Sequence, residues 1–176
     1  MHQNFESLIN SNVLRPKSVN CDEGETINGA IEKGFNDITV SGTCNENVDF
    51  TVWRDSAVDG RNPNGKLAPR LLKLSSGSTP GVIVDTSSNT RSTITVTNGS
   101  TLILENISVQ GGTHTVYATR NSNLLMTGGV TLEGFTERGI RIEDSSYLGV
   151  DEGGVTLTGG AGAERGVYVG MGSSAW

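Results

Sequence analysis

The sequence predicts an all-β solenoid, a right-handed parallel β-helix with a short N-terminal capping helix. The first observation is recurrence: three short apolar runs return in fixed order. The first run is Leu102–Leu104, Leu124–Met126 and Leu148–Val150, the second Ile107–Val109, Val130–Leu132 and Val155–Leu157, and the third Val116–Ala118, Ile140–Ile142 and Val167–Val169. The runs repeat after 22 and 24, 23 and 25, and 24 and 27 residues, a period that marks a solenoid built from short strands. The second observation is alternation: the outer two residues of each run face one way and the middle one the other. The third is composition: 24 Gly, 4 Pro and 5% aromatics suit a β protein with many tight corners. One coil cannot bury its apolar row alone; stacking coils in register buries a continuous column and pairs the backbone amides. A leucine-rich repeat shares the period, but it needs a helix or equivalent arm and an Asn at a set place, where this chain has Gly, Ser and Thr.

At 176 residues, one domain is expected. Residues 1–18 read as a polar tail or extra cap. They lack the basic start and apolar core of a signal peptide, while Phe5, Leu8 and Ile9 fall at helical spacing. Residues 19–47 form a helical cap and first strand. Within Thr26–Gly34, Ile27, Ala30 and Ile31 share a face and Gly34 is the stop; Ile38–Val40 then alternates as a strand. Such a helix covers the open end of the apolar column and the exposed strand edge. Coils occupy 48–176, with an irregular insertion at about 53–70. Val48, Phe50 and Val52 alternate before Trp53-Arg54-Asp55 and the turn-rich Asp59–Lys66. That stretch has Asp and Asn but not the acidic alternation and terminal Glu of a calcium loop, so a solvated loop is expected.

Leu72 and Leu74 open the next coil, Val82 and Val84 fit its second strand, Asp85–Thr93 is its second corner, and Ile94 and Val96 fit its third strand. Second corners vary most: Gln110–Thr115, Glu133–Gly139 and Thr158–Gly166, two of them ending Glu-Arg-Gly. Insertions along one edge of a solenoid often mark its binding side. Trp176 falls where a further coil would begin. The expectation is either a fragment of a longer protein or a homo-oligomer pairing through the open C-terminal end.

The segment VNCDEGETINGAIEKGFNDITVSGTCNENV resembles the N-terminal cap of secreted bacterial proteins in the pectin-lyase-like β-helix superfamily. The direct resemblance covers about thirty residues, and the coil pattern extends it loosely to the end of the chain. It implies the fold and a secreted or cell-surface setting. It does not select an activity, because that superfamily holds lyases, hydrolases, esterases, adhesins and phage spikes. Given an exported setting, Cys21 and Cys44 are expected to form a disulfide tying the cap to the first coil; the alternative is two buried thiols. No metal site is expected there, since no His partners lie nearby.

A formal charge of −6 does not indicate nucleic-acid binding, and no apolar run approaches membrane-spanning length. The outward row of the third run reads Tyr117, Arg141, Tyr168, with Arg138 and Arg165 just before it and Glu137 and Glu164 beside them. This is either a groove for an acidic glycan, with Arg141 as central contact, or a Glu–Arg ladder that holds coils together. Ile103 and Leu125 project from the first run near Tyr147, and together with Trp176 they form a candidate partner surface. Ser108, Thr131 and Thr156 face outward from the second run, but one hydroxyl per coil does not make the wide double row of an ice-binding surface. A lyase would need a base and calcium ligands, for which Arg141, Glu143, Asp144, Asp151 and Glu152 are the available set. The double-Asp, Gly-His-Gly and Arg-Ile-Lys signatures that the resemblance would bring for catalysis are absent; Arg141-Ile142-Glu143 is only an echo. His114 reads as a corner residue. The expected function is an exported, non-catalytic module that binds a glycan or protein, with no cofactor. The alternative is a polysaccharide lyase or glycoside hydrolase, for which calcium enters.

Overall fold

The computed structural model of the chain describes residues 14–51 and 70–176. The spacing of Phe5, Leu8 and Ile9, Val52 of the early strand, and the insertion through Pro69 lie outside the described residues. The described chain is a parallel β-solenoid of about six turns with almost no helix. The strands are β1 (Pro16–Asn20), β2 (Asp37–Asn45), β3 (Val48–Thr51), β4 (Leu71–Val84), β5 (Ile94–Thr97), β6 (Thr101–Glu105), β7 (Ser108–Gln110) and β8 (His114–Ala118). They continue as β9 (Asn123–Thr127), β10 (Val130–Phe135), β11 (Arg138–Ile142), β12 (Tyr147–Val150), β13 (Val155–Gly159), β14 (Arg165–Val169) and β15 (Ser174–Ala175). Between β1 and β2 lie a short 3-10 turn, Cys21–Glu23, and an α-helix, α1 (Ile27–Glu32).

The strands stack in three rows. The first runs β1, β2, β4, β6, β9, β12, β15; the second uses the far ends of β2 and β4, then β7, β10, β13; the third is β3, β5, β8, β11, β14. The apolar runs meet in register. Leu74, Leu104, Met126 and Val150 form one column, and Ile83, Val109, Leu132 and Leu157 another. Ile94, Val116, Ile140 and Val167 form a third. Leu74, Leu104, Met126, Ile83, Val109, Leu132, Ile94 and Val116 are fully buried, and each such side chain contributes about 1.5–3 kcal/mol by leaving water. The columns thin at the last turn, where Val167 and Val169 are 42% and 38% exposed.

Two details differ from the sequence reading. Val82 and Val84 are half-buried on the outer side of β4, and Ile83 is the inward residue. Gly81 sets this phase. It is buried beside Val40, where a Cβ would come within 2.6 Å of the Val40 carbonyl oxygen, so the next inward position is 83. The second corners are also shorter than expected, because β8, β11 and β14 begin at His114, Arg138 and Arg165. His114 is therefore a strand residue and not a corner.

The third corner is a repeated four-residue step: Thr97–Ser100, Thr119–Ser122, Glu143–Ser146 and Gly170–Ser173. In each, the two middle residues have positive φ, as at Asn98 and Gly99 or Arg120 and Asn121. Asn, Gly and Asp tolerate this region best; the closing Ser satisfies buried backbone groups. Ser100 and Ser122 donate to the carbonyls of Thr97 and Thr119, at 2.8 and 2.7 Å. The hydroxyl oxygens of Ser146 and Ser173 accept from the amides of Ser122 and Ser146, both at 3.0 Å.

The cap is built as its sequence suggests. Ile27 and Ala30 are buried, and the Thr26 hydroxyl oxygen accepts from the Gly29 amide at 3.0 Å. The Glu46 carboxylate accepts from the amides of Ile27 and Asn28 at 2.6 and 2.9 Å, which satisfies two more free donors of the first helical turn. Cys21 and Cys44 form a disulfide across 5.0 Å between Cα atoms, joining the turn before α1 to β2. With a sequence separation of 23, removing the bridge should cost about 3 kcal/mol. Denaturant unfolding of Cys21→Ser/Cys44→Ser against the parent checks this; an unchanged midpoint would mean that the cap docks without the bridge.

Candidate functional site

Arginine, tyrosine and glutamate side chains gather on the outer side of the third row. Strict alternation would send Arg138 and Arg141, three residues apart, to opposite sides. It is broken by two consecutive inward residues, Gly139 and Ile140, and in register with them Thr115 and Val116. Only a glycine fits at 139: a Cβ would meet the Gly166 carbonyl oxygen at 2.8 Å and Leu157 Cδ2 at 2.9 Å. The step places two in-register outer columns side by side. One is His114, Arg138, Arg165; the other is Tyr117, Arg141, Tyr168. All five residues expected to form the binding row, Tyr117, Arg138, Arg141, Arg165 and Tyr168, thus lie on one face, with neighbouring strands about 4.8 Å apart.

Arg141 is the most constrained of them. Its Nη2 donates to both oxygens of Glu143 at 2.9 Å, its Nη1 lies 3.0 Å from His114 Nε2, and its guanidinium sits 4.9 Å from the Tyr117 ring centroid. The Tyr117 hydroxyl donates to Glu143 Oε2 at 3.1 Å, and the His114 and Tyr117 rings meet edge to face. Burial works against the charge on Arg141, but hydrogen bonds and charge from Glu143 outweigh it and hold the group more firmly protonated than usual. Burial pushes the Tyr117 phenol up. His114 is pushed down, first by burial and then by the Arg141 charge.

Arg138 is bracketed by Glu137 at 3.1 Å and Glu164 at 3.5 Å, and lies 4.8 Å from the Tyr168 ring centroid. Arg165 approaches the same ring at 5.8 Å and, among the described residues, makes no ion pair with a carboxylate. Three arginines thus face three glutamates. His114 and the buried Glu143 were not expected as members of this network. For His114 the repeat held a positional signal that strict alternation masks: it precedes Val116 as Arg138 precedes Ile140 and Arg165 precedes Val167.

The other expected positions are less assembled. Ile103 and Leu125 are in register but half-buried. The Tyr147 ring reaches over Gly149, the partner of Leu125, and meets Trp176 edge to face at 6.0 Å between centroids; Trp176 is 81% exposed. The carboxylates named for calcium do not converge. Among the described residues the only group of three with metal-ligand spacing is Cys21, Cys44 and Glu46, two of which are the disulfide. Glu143 is taken by Arg141 and Tyr117, and Asp144 accepts from the Thr119 hydroxyl at 2.7 Å. Among the described residues no helix is long and apolar enough to cross a membrane. Comparison with protein-family models, with curated proteins and with solved structures returns no match.

Proposed function

We propose that the chain is an exported, non-catalytic β-helix module that binds a glycan along the outer face of β8, β11 and β14. The observation that supports this is the in-register row Tyr117, Arg141, Tyr168 flanked by Arg138 and Arg165. Rigid aromatic and guanidinium groups on a parallel sheet offer donors, acceptors and apolar edges at a fixed spacing, which suits a chain of ring hydroxyls. The balance of three arginines and three glutamates favours a hydroxyl-rich ligand over a strongly anionic one. Arg141 is consumed by Glu143 and His114, so the contact role moves to Arg165 and Tyr168. The disulfide and the likeness of residues 19–48 to caps of the pectin-lyase-like superfamily support the exported setting.

A glycan array followed by calorimetric titration tests this. Retention without turnover is expected, and Tyr168→Ala and Arg165→Gln should each weaken binding about tenfold. Absence of retention on any glycan overturns the reading. The lyase alternative is less favoured, because an arginine held protonated by Glu143 is a poor base; release of unsaturated sugar in the presence of calcium would restore it.

Self-association is a second proposal, supported by the exposure of Val167 and Val169 and by the outer edges of β13 and β14, each paired on one side only among the described residues. Such edges accept another parallel layer. A polypeptide of these 176 residues should show a concentration-dependent mass by size-exclusion chromatography with light scattering. A constant monomer mass overturns it.

A further inference from the structure

His114 is 4% exposed, yet it faces a cation. A guanidinium only donates, so the His114 Nε2 that lies 3.0 Å from Arg141 Nη1 must accept. The ring is then neutral with its proton on Nδ1, which is buried and makes no hydrogen bond of full geometry among the described residues, the backbone of Thr113 being the polar group that favours a proton on the ring. A second proton has one place to go, Nε2, where it turns an acceptor into a donor aimed at another donor and sets two cations at contact. Of the two, Arg141 has the path to water: its side chain is 30% exposed, while His114 is closed in.

We infer that His114 is an acid-operated latch on Arg141: protonation of the imidazole ejects the guanidinium from its seat between His114, Tyr117 and Glu143 and exposes it on the outer face. The charged and titratable groups around His114 fit this. From β11 it meets Arg141 and, in register, Arg138, both of which oppose protonation. Glu137, in the corner before β11, favours it, and the Glu143 carboxylate stands behind Arg141 and Tyr117, bonded to both. Tyr117, on its own strand, is neutral, and on the β5 side the adjoining Thr93 carries no charge. The sequence holds only one other histidine, His2, outside the described residues. The latch rests on this network alone and needs no ligand.

Side-chain nitrogen NMR of the His2→Asn chain, followed from neutral pH downward, tests the latch, with His114→Gln as control. The glutamine carbonyl can accept from Arg141 but does not titrate. The expected result has three parts: the Nδ1–H tautomer at neutral pH, a His114 midpoint below its ordinary 6.5, and merging of the separate Arg141 Nη signals at that midpoint. His114→Gln should keep those signals separate throughout. Stability supplies a second readout. A histidine whose folded pKa is depressed binds fewer protons folded than unfolded, so its contribution is fully present above 6.5 and is lost as pH falls through the folded value. That part of the pH slope should vanish in His114→Gln. An Nε2–H tautomer at neutral pH, Arg141 signals unchanged through the His114 midpoint, or acid release persisting in His114→Gln would each overturn the latch.

Discussion

Truncating Leu104 to alanine is expected to lower the unfolding free energy by about 3 kcal/mol. Leu104 is fully buried on β6, with Leu74 before it and Met126 after it in the same column. Two effects combine: lost transfer of the side chain from water, and a cavity that flanking coils cannot close because their backbones are fixed by ladders on both sides. The same truncation at Val169 should cost less than about 1 kcal/mol, since that residue is 38% exposed on β14. Equilibrium denaturation of both variants measures the contrast. Equal losses would mean that the last turn is covered by another layer in solution. A loss near zero at Leu104 would contradict the column itself.

The columns were legible because each coil carries the same run at nearly the same interval, and burial of Leu102, Leu124 and Leu148 requires them to stack. The second strand of the early coil was misread for a local reason. Val82 and Val84 look like an inward pair, but Gly81 takes the inward position against Val40 and shifts the phase by one. The site was half legible. Tyr117, Arg141 and Tyr168 follow from the repeat. His114 did not, since alternation from Val116 ended too early and the double inward step at Thr115 and Val116 has no apolar signature. Glu143 was hidden because it opens a corner, where a carboxylate is ordinarily solvated, yet it is 5% exposed. The Thr-x-x-Ser corners at 97 and 119 were readable as a repeat of their own, since Asn98-Gly99 and Arg120-Asn121 occupy matching positions in successive coils.

Arg141→Ala should destabilise the fold by about 2 kcal/mol or more, less than the ~3–5 kcal/mol of a fully buried pair because Arg141 is partly exposed. The cost arises mainly at its partner. Glu143, with a side chain 7% exposed, would keep only the Tyr117 hydroxyl and stand as an uncompensated buried carboxylate. The reverse change, Glu143→Gln, should cost about half as much, because the amide oxygen still accepts and the freed charge on Arg141 can turn to water. Replacing both, as Arg141→Met with Glu143→Leu, should return stability to within about 1 kcal/mol of the parent. Denaturant midpoints for the four proteins close this cycle, and they separate the two roles of the face. If the double variant folds as well as the parent but loses glycan retention, the polar network exists for recognition and the fold tolerates its removal. If it folds as well and retains the ligand, Arg141 and Glu143 are a structural ladder, and recognition rests on Arg165 and Tyr168. If Arg141→Ala is as stable as the parent, Glu143 has a compensating partner and the network is not closed as described.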